Sequence, residues 1–292
     1  LMYIDKSNGN STCSAVGNSN AAQSAQPAPR NDPGFAPISP DTPSWGPPSG
    51  GTGGGNNGGN GSVIIIPGQT ICPPCTSENA SIRFLHAAVN QPAVNIRLGS
   101  RTMINNMQFG NFTPYYLENS SQNTLVTVTN ARTGQTLYQR YINFSGQSAY
   151  TVSIINDGDG ITLFALTDTP CRYQNMSCLR AVNLSPNSGA VDIFLSEYGR
   201  IFQNLSQYNV TGYSAVSRGT YRVSVSEALP CTNSNDIIMA NGYVECNNTR
   251  IVIMDSTTLN VMNGVTYTLY IIGLAYQFPA LQILPLESDL IY

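Results

Sequence analysis

The sequence predicts an all-β protein in which two tandem β-sandwich domains follow an extended N-terminal arm rich in Pro, Gly and Asn. The first observation is an internal repeat. Ser81–Leu98 reappears 97 positions later as Cys178–Leu195, with six of eighteen aligned residues identical. Such a repeat indicates two copies of one structural unit. The second observation is the alternation of apolar and polar residues over short runs, which is typical of strands with one buried face.

The arm is predicted to comprise residues 1–78. Most of it consists of Asn, Ser, Ala, Pro and Gly. This composition cannot bury enough apolar surface to offset the entropy of ordering, so the arm alone is predicted to be flexible or polyproline-like. Two apolar segments interrupt it, and we predict that they contact another subunit. They are Leu1, Met2, Tyr3 and Ile4, and Val63, Ile64, Ile65 and Ile66.

The first domain is predicted over residues 79–170. Turn signals rich in Asn, Asp, Gly and Pro separate its short β-forming runs. Strands of this number, length and spacing are typical of a β-sandwich. The predicted strands are Ile82–Ala87, Val94–Leu98, Tyr115–Leu117, Thr124–Thr129, Thr136–Phe144, Ala149–Ile155 and Ile161–Leu166.

The second domain is predicted over residues 177–292 and repeats the order of the first. Tyr150–Val152 corresponds to Tyr267–Leu269, and by this point the offset between the copies has grown from 97 or 98 positions to 117. The second copy therefore carries an insertion of roughly twenty residues. Cys231 and Cys246 lie within this insertion and are predicted to bridge each other.

The opening of the first copy, SIRFLHAAVNQPAVNIRL, resembles the start of the DUF4397 domain. Members of that family typically begin with an Arg-containing strand, a His-Ala pair, a Pro-containing turn and a second Val-rich strand. The segment Gly264–Gly273 is similar to the family's final Gly-x-x-Tyr-Thr segment. The resemblance covers about residues 79–290 in two copies, although the second has Asn183-Leu184 in place of His-Ala. It implies two tandem Ig-like β-sandwich domains of an exported bacterial envelope protein, with no known catalytic residues.

The number of cysteines is odd, so an oxidising compartment would leave one thiol for a partner molecule. The seven cysteines are Cys13, Cys72, Cys75, Cys171, Cys178, Cys231 and Cys246. Cys171 and Cys178 flank the link between the domains and are candidates for a disulfide bond across it. In the arm, either Cys72 and Cys75 bond each other and Cys13 is free, or Cys13 bonds one of that pair.

The sequence offers no arrangement that predicts an enzyme, a cofactor or a metal site. The single histidine, His86, corresponds to Asn183 in the second copy, so we interpret it as structural. Cys72 and Cys75 have the spacing of redox and zinc motifs, but they lack the βαβ context of the first and the second Cys pair of the other. The segment 156–160, Asn-Asp-Gly-Asp-Gly, is interpreted as a hairpin turn, because it lacks the downstream Glu of a Ca²⁺ loop.

Composition excludes other classes of function. Only 10% of residues are charged, the net charge is −3 and no basic block is present, so we predict no binding to nucleic acid. No apolar run is long enough to predict a membrane span. The chain begins at Leu1 without a signal-type region, which fits an extracellular or cell-surface protein whose signal peptide has been removed.

Repeated Asn-x-Ser/Thr sequons would accept glycans in a eukaryotic secreted protein. In a chain so rich in Asn, Ser and Thr, and resembling a bacterial family, many of them are expected by chance. Ten of them begin at Asn10, Asn79, Asn111, Asn119, Asn143, Asn175, Asn183, Asn204, Asn209 and Asn247.

The leading hypothesis is a non-enzymatic extracellular structural protein, a subunit that binds copies of itself in a filament, appendage or surface layer. The arm would reach a neighbour, adding Leu1–Ile4 or Val63–Ile66 as a strand to an exposed sheet edge, and disulfides would reinforce the link. Such head-to-tail contacts generate open polymers. The alternative is a monomeric cell-surface adhesion or ligand-binding module with the arm as a spacer. A secreted enzyme has the least support.

Overall fold

The computed structural model describes residues 79–119, 123–231, 237–240 and 242–288, which lie within one compact unit, Ser77–Tyr292. These residues form strands and connecting turns in two copies of a sandwich, and no helix occurs among them. Within the same ranges, no helix long and apolar enough to cross a lipid bilayer is found. The predicted all-β class is confirmed.

The first copy is a sandwich of two four-stranded sheets. The inner sheet has the order β4-β1-β7-β8 and the outer sheet the order β3-β2-β5-β6. Strands β1 and β7 are parallel, whereas the other neighbours are antiparallel. The strands are β1 (Asn79–His86), β2 (Val94–Leu98), β3 (Arg101–Met107), β4 (Tyr116–Asn119), β5 (Thr124–Asn130), β6 (Thr136–Ile142), β7 (Ala149–Asp157) and β8 (Gly160–Asp168).

The second copy repeats this arrangement and enlarges it. Its inner sheet has the order β12-β9-β17-β18, with β9 and β17 parallel, and its outer sheet has six strands in the order β11-β10-β13-β16-β15-β14. The strands are β9 (Ser177–Asn183), β10 (Val191–Leu195), β11 (Gly199–Leu205), β12 (Ser214–Val216), β13 (Gly219–Glu227), β14 (Ile237–Ala240), β15 (Tyr243–Cys246), β16 (Thr249–Val261), β17 (Thr266–Ile272) and β18 (Gln282–Ser288).

The insertion in the second copy forms the β14–β15 hairpin, which pairs with the first half of β16. A disulfide between Cys231 and Cys246 closes the insertion, and both sulfurs belong to a small apolar cluster with Phe194 and Val244. Among the strands that the structure describes, the outer sheet of the first copy has no counterpart to this hairpin and ends at β6. The inserted residues therefore extend one sheet by two strands.

Strand β3 was not among the predicted strands. Its sequence, RTMINNM, is mostly polar and does not alternate, because β3 is an edge strand with much of its length exposed. Register shifts in its pairing with β2 further break the period-two pattern on which strand prediction depends. The other strands of the first copy differ from the predicted ones by a few residues at their ends.

The inner sheets of the two copies pack against each other. Each central inner strand is buried on both faces, which explains its long apolar run. In β1, Ile82 and Phe84 lie in the core of the first sandwich, whereas Leu85 belongs to a separate cluster between the copies. That cluster includes Val182 of β9 and Tyr270 of β17. The fold is thus four sheet layers in which the two middle layers form the interface.

We predict that the disulfide of the insertion stabilises the fold more than the other described disulfide does. Chain-entropy arguments give about 3 kcal/mol for the separation of 15 residues between Cys231 and Cys246, and about 2 kcal/mol for the separation of 7 between Cys171 and Cys178. Denaturant unfolding of the Cys231→Ser/Cys246→Ser and Cys171→Ser/Cys178→Ser variants measures both losses. A larger loss for the second pair would contradict this reasoning.

Candidate functional site

The candidate functional site is the interface between the two copies, where an arginine from each copy is buried. Arg83 belongs to β1 and Arg180 to β9, at the same position of the repeat. Because side chains alternate across a strand, these arginines point away from the sandwich cores, which their neighbours fill. Buried guanidinium groups need several hydrogen-bond acceptors each, and the surrounding residues supply them.

Arg83 is held by two neighbours from its own copy. Its Nε donates a hydrogen bond to the Thr151 hydroxyl on β7 at 2.7 Å. Its guanidinium carbon lies 4.7 Å from the centre of the Tyr115 ring, a distance typical of cation–π contact. The parallel pairing of β1 with β7 sets Arg83 directly beside Thr151.

Arg180 repeats this geometry in the second copy. Its Nε donates to the Thr268 hydroxyl on β17 at 3.0 Å, and its guanidinium carbon lies 4.8 Å from the centre of the Tyr213 ring. Threonine and tyrosine therefore occupy the same roles in both halves. The two halves of the site are related by an approximate internal two-fold symmetry.

Each arginine also reaches into the opposite copy. Arg180 Nη2 donates to Asp168 Oδ1 at 2.8 Å, at the end of β8. Arg83 donates to the Glu287 carbonyl oxygen at 2.6 Å and to the Ser288 hydroxyl at 3.2 Å, at the end of β18. Asp168 and Ser288 occupy equivalent register positions, opposite the residue that precedes Tyr150 and Tyr267 respectively. The contacts across the interface are thus exchanged reciprocally.

Asp168 breaks this symmetry with a buried charge. Its fully buried carboxylate accepts hydrogen bonds from the Tyr115 and Thr151 hydroxyls at 2.7 and 2.6 Å, in addition to that from Arg180. Its Oδ2 also lies 3.7 Å from Arg83 Nη2. Because the equivalent residue in the second copy is a serine, one carboxylate serves two guanidinium groups.

The interface tyrosines are held in their neutral form. Burial raises the pKa of Tyr115, and the nearby Asp168 carboxylate raises it further, while Arg83 opposes both effects. Burial likewise raises the pKa of Tyr213 and Tyr270. A neutral hydroxyl can donate to the carboxylate, whereas a phenolate could not. The arrangement is suited to joining the two copies.

The structure places His86 at the buried end of β1. The ring is fully buried, and its Nε2 lies 3.2 Å from the Pro92 carbonyl oxygen. Nδ1 has no hydrogen-bond partner among the described residues. Burial lowers the pKa of His86, and the hydrogen bond with Pro92 opposes this shift. Its counterpart Asn183 is also buried and bonds locally, with its Nδ2 donating to the Ser188 hydroxyl at 3.0 Å.

The structure describes some of the other residues identified from the sequence, and the rest lie outside the described ranges. Cys171 bonds Cys178, as Cys231 bonds Cys246. The segment 156–160 contains the tight turn between β7 and β8, with Asp157 paired to Gly160. Within the described ranges, no group of three or more His, Cys, Asp or Glu is placed to hold a metal ion. Residues outside the described ranges are Cys13, Cys72, Cys75, Leu1, Met2, Tyr3, Ile4, Val63, Ile64, Ile65 and Ile66.

The sequons differ in accessibility. Asn183 is fully buried, so it cannot accept a glycan in the folded protein. Asn10 lies outside the described residues. The remaining sequon asparagines are exposed: Asn79, Asn111, Asn119, Asn143, Asn175, Asn204, Asn209 and Asn247.

Sequence reasoning did not identify the charged interface. The available signal was the identity of Arg83 and Arg180 within otherwise apolar strands, because an arginine retained in both copies of a buried strand needs a partner. Asp168 gave no such signal, since its counterpart is Ser288. Its role depends on a contact between copies that the repeat alone does not reveal.

Comparison with known proteins gives a family and no activity. The model of the family described as "Domain of unknown function (DUF4397)" matches residues 80–194 and, again, residues 177–290. No curated protein matches the sequence significantly. Among solved structures, the chain is similar to CBMbc, of family CBM26, from Eubacterium rectale Amy13K in complex with maltoheptaose. The identity is 11%, the match covers 73% of this chain and 98% of that one, and the TM-score is 0.21.

We predict that Asp168→Asn separates or unfolds the two copies. The change leaves two buried guanidinium groups without a counter-charge, and breaking a buried ion pair in this way costs about 3–5 kcal/mol. Denaturant unfolding measures the loss. Glu245→Gln, which removes the partner of the exposed Arg250, is the control and should have little effect. Equal losses in the two variants would contradict the assigned role of Asp168.

We also predict that His86 makes stability fall in mildly acidic solution. Because burial lowers the His86 pKa in the folded state, the unfolded chain takes up its proton first as the pH falls below 6.5. Its contribution to stability is therefore complete above pH 6.5 and declines as the pH falls towards the lowered pKa. His86→Asn, which copies Asn183, should reduce the difference in unfolding free energy between a pH above this value and one below it. An unchanged difference would contradict the prediction.

Proposed function

The chain belongs to the DUF4397 family, and from this premise we propose that it is a non-enzymatic extracellular structural protein whose copies assemble head to tail through the N-terminal arm. The family description assigns no activity. The proposal therefore depends on the chemistry of this chain: its cysteines, its joined sandwiches and its arm.

The observation that carries the proposal is the distribution of cysteines. Four of the seven are paired within the two sandwiches, as Cys171–Cys178 and Cys231–Cys246. The three that remain, Cys13, Cys72 and Cys75, all precede the sandwiches. Three thiols cannot all pair with one another, so at least one is available for a bond to another molecule. A disulfide between arms of different copies would make an assembly covalent in an oxidising environment.

The interface between the sandwiches supports a structural role. Arg83, Asp168 and Arg180 join the two copies through buried ion pairs and an apolar cluster. A body joined in this way has a single shape to present to its neighbours, whereas two freely linked sandwiches would not. Residues 1–78 would then span the distance between neighbouring molecules, because a chain rich in Pro, Gly and Asn is extensible.

A comparison of the full chain with a version lacking residues 1–78 tests the proposal. We expect the full chain to form large species under oxidising conditions, visible by sedimentation and negative-stain electron microscopy, and the shortened version to be monomeric. Cys13→Ser is the matched variant for the disulfide, and non-reducing mass spectrometry locates the partner of Cys13.

A full chain that is monomeric at high concentration under oxidising conditions would contradict assembly. If that monomer bound a glycan or a surface protein, the alternative of a monomeric adhesion module with the arm as a spacer would replace the proposal.

A further inference from the structure

Among the described strands, β14 ends the outer sheet of the second copy and has no charged residue or proline to protect its edge. Strand β14, with the sequence IIMA, pairs with β15 on one side, and none of the described strands pairs with its other side. Natural sheet edges are usually protected by charges, prolines or bulges, because an open edge can pair with another chain. β14 contains no charged residue and no proline.

The other terminal strands are less suited to accept a new strand. Strand β12 is short, with three residues. Strand β8 packs Phe164 and Leu166 against the apolar cluster between the copies. The remaining five contain a charged residue or a proline, namely Arg101 in β3, Glu118 in β4, Arg140 in β6, Arg200 in β11 and Pro285 in β18.

Exposed apolar residues lie on the sheet face beside the β14 edge. Ile238 of β14 is 62% exposed and is opposite Glu245 of β15, and Val252 of β16 is exposed on the same sheet face. Val252 and Tyr276 line a shallow groove against the loop that follows β17, and Phe278 in that loop is 90% exposed. We call Ile238, Val252, Tyr276 and Phe278 the outer patch. Exposed apolar residues in one region often mark an interaction surface.

The arm contains a segment that matches this edge in chemistry. Val63–Ile66 consists of four β-branched apolar residues and ends at Pro67-Gly68, and β14 has four residues as well. Neither segment is charged, and β-branched residues pack well on a pleated surface. A strand added at a free edge gains backbone hydrogen bonds there, while its alternate side chains can contact Ile238 on the neighbouring strand.

The donor and the acceptor belong to different parts of the chain. The arm joins the body at β1 of the first copy, whereas β14 lies at the far edge of the second copy's outer sheet. Residues 67–78 span at most roughly 40 Å when fully extended, which is enough to reach an adjacent body. Since donor and acceptor are different surfaces, each added molecule leaves a free acceptor or donor, and growth is open-ended.

We propose that Val63–Ile66 of one molecule adds as a strand to the β14 edge of another, where it contacts Ile238. This inference rests on the proposed function and names the surface that receives the arm. The two apolar segments of the arm are thereby distinguished, with Val63–Ile66 as the donor strand.

The experiment compares full-length variants that differ at the donor, at the acceptor or at a control edge. Ile64→Asp/Ile65→Asp places charges in the donor, and Ile238→Lys places one on the acceptor edge. Leu117→Lys is the matched control, because Leu117 is 68% exposed on the four-residue edge strand β4. All three changes affect exposed or arm positions, and circular dichroism with thermal unfolding checks that each variant folds like the unaltered chain.

We expect the donor and acceptor variants each to raise the concentration needed for assembly by about tenfold or more, which corresponds to about 1.4 kcal/mol, and Leu117→Lys to leave it unchanged. Mixing the donor and acceptor variants provides one intact donor and one intact acceptor. The mixture should therefore form dimers that do not grow, detectable by sedimentation. Dimers in the mixture and none in either variant alone would establish a link between molecules.

Each other outcome overturns the inference in a recognisable way. If the unaltered chain assembles and Ile238→Lys assembles equally well, the β14 edge is not the acceptor, although the proposed function stands. If Leu117→Lys alone prevents assembly, β4 is the acceptor. If the mixture forms no dimers although the unaltered chain assembles, the donor does not pair with this edge in another molecule.

If the unaltered chain does not assemble, both the inference and the proposed function fail. Binding of a glycan or peptide that Ile238→Lys abolishes would then assign the patch to a foreign ligand.

Discussion

The Asp168 carboxylate is buried, and it lies 2.8 Å from the guanidinium of Arg180 in the opposite copy and 3.7 Å from that of Arg83 in its own copy. Removing charges from water is costly, and attraction between them compensates only where the geometry is good and the remaining polar atoms are satisfied. Here the hydroxyl groups of Tyr115 and Thr151 donate hydrogen bonds to the carboxylate. The Ser288 hydroxyl and the Glu287 carbonyl oxygen accept hydrogen bonds from Arg83. The joining of the sandwiches depends on all of these contacts together.

The contacts between the copies resemble those of a symmetric dimer built within one chain. Arg83 and Arg180 make equivalent contacts in opposite directions, as residues do across a two-fold interface. In a true dimer of identical subunits, the positions of Asp168 and Ser288 would have to hold the same residue. Two copies in one chain can differ there, and the result is one carboxylate between two guanidinium groups in place of two carboxylates close together.

The sequence was informative wherever a local pattern reflected a local structure. Alternation in β5 and β7 predicted strands there, and the repeat predicted two copies of one fold. Strand β3 was not predicted, because an exposed, irregular edge strand has no buried face to impose alternation. The pairing of Asp168 with Arg180 was not predicted for a different reason. It joins side chains of different sandwiches, and no spacing along the chain encodes how two sandwiches pack. His86 illustrates the opposite case, since its replacement by asparagine in the second copy predicted a structural role, and both side chains are fully buried.

An approximately symmetric body has no distinct head and tail. Two equivalent sandwiches joined through their inner sheets would expose two equivalent outer sheets, and contacts between equivalent surfaces are isologous, not head-to-tail. The β14–β15 hairpin removes this equivalence, because it gives one outer sheet six strands and leaves the other with four. The body therefore acquires distinct ends through an insertion of roughly twenty residues, without any change to the interface that joins the copies. Distinct ends are the geometric requirement for head-to-tail growth, so the position of the insertion matters more to the proposed assembly than the sandwich fold itself.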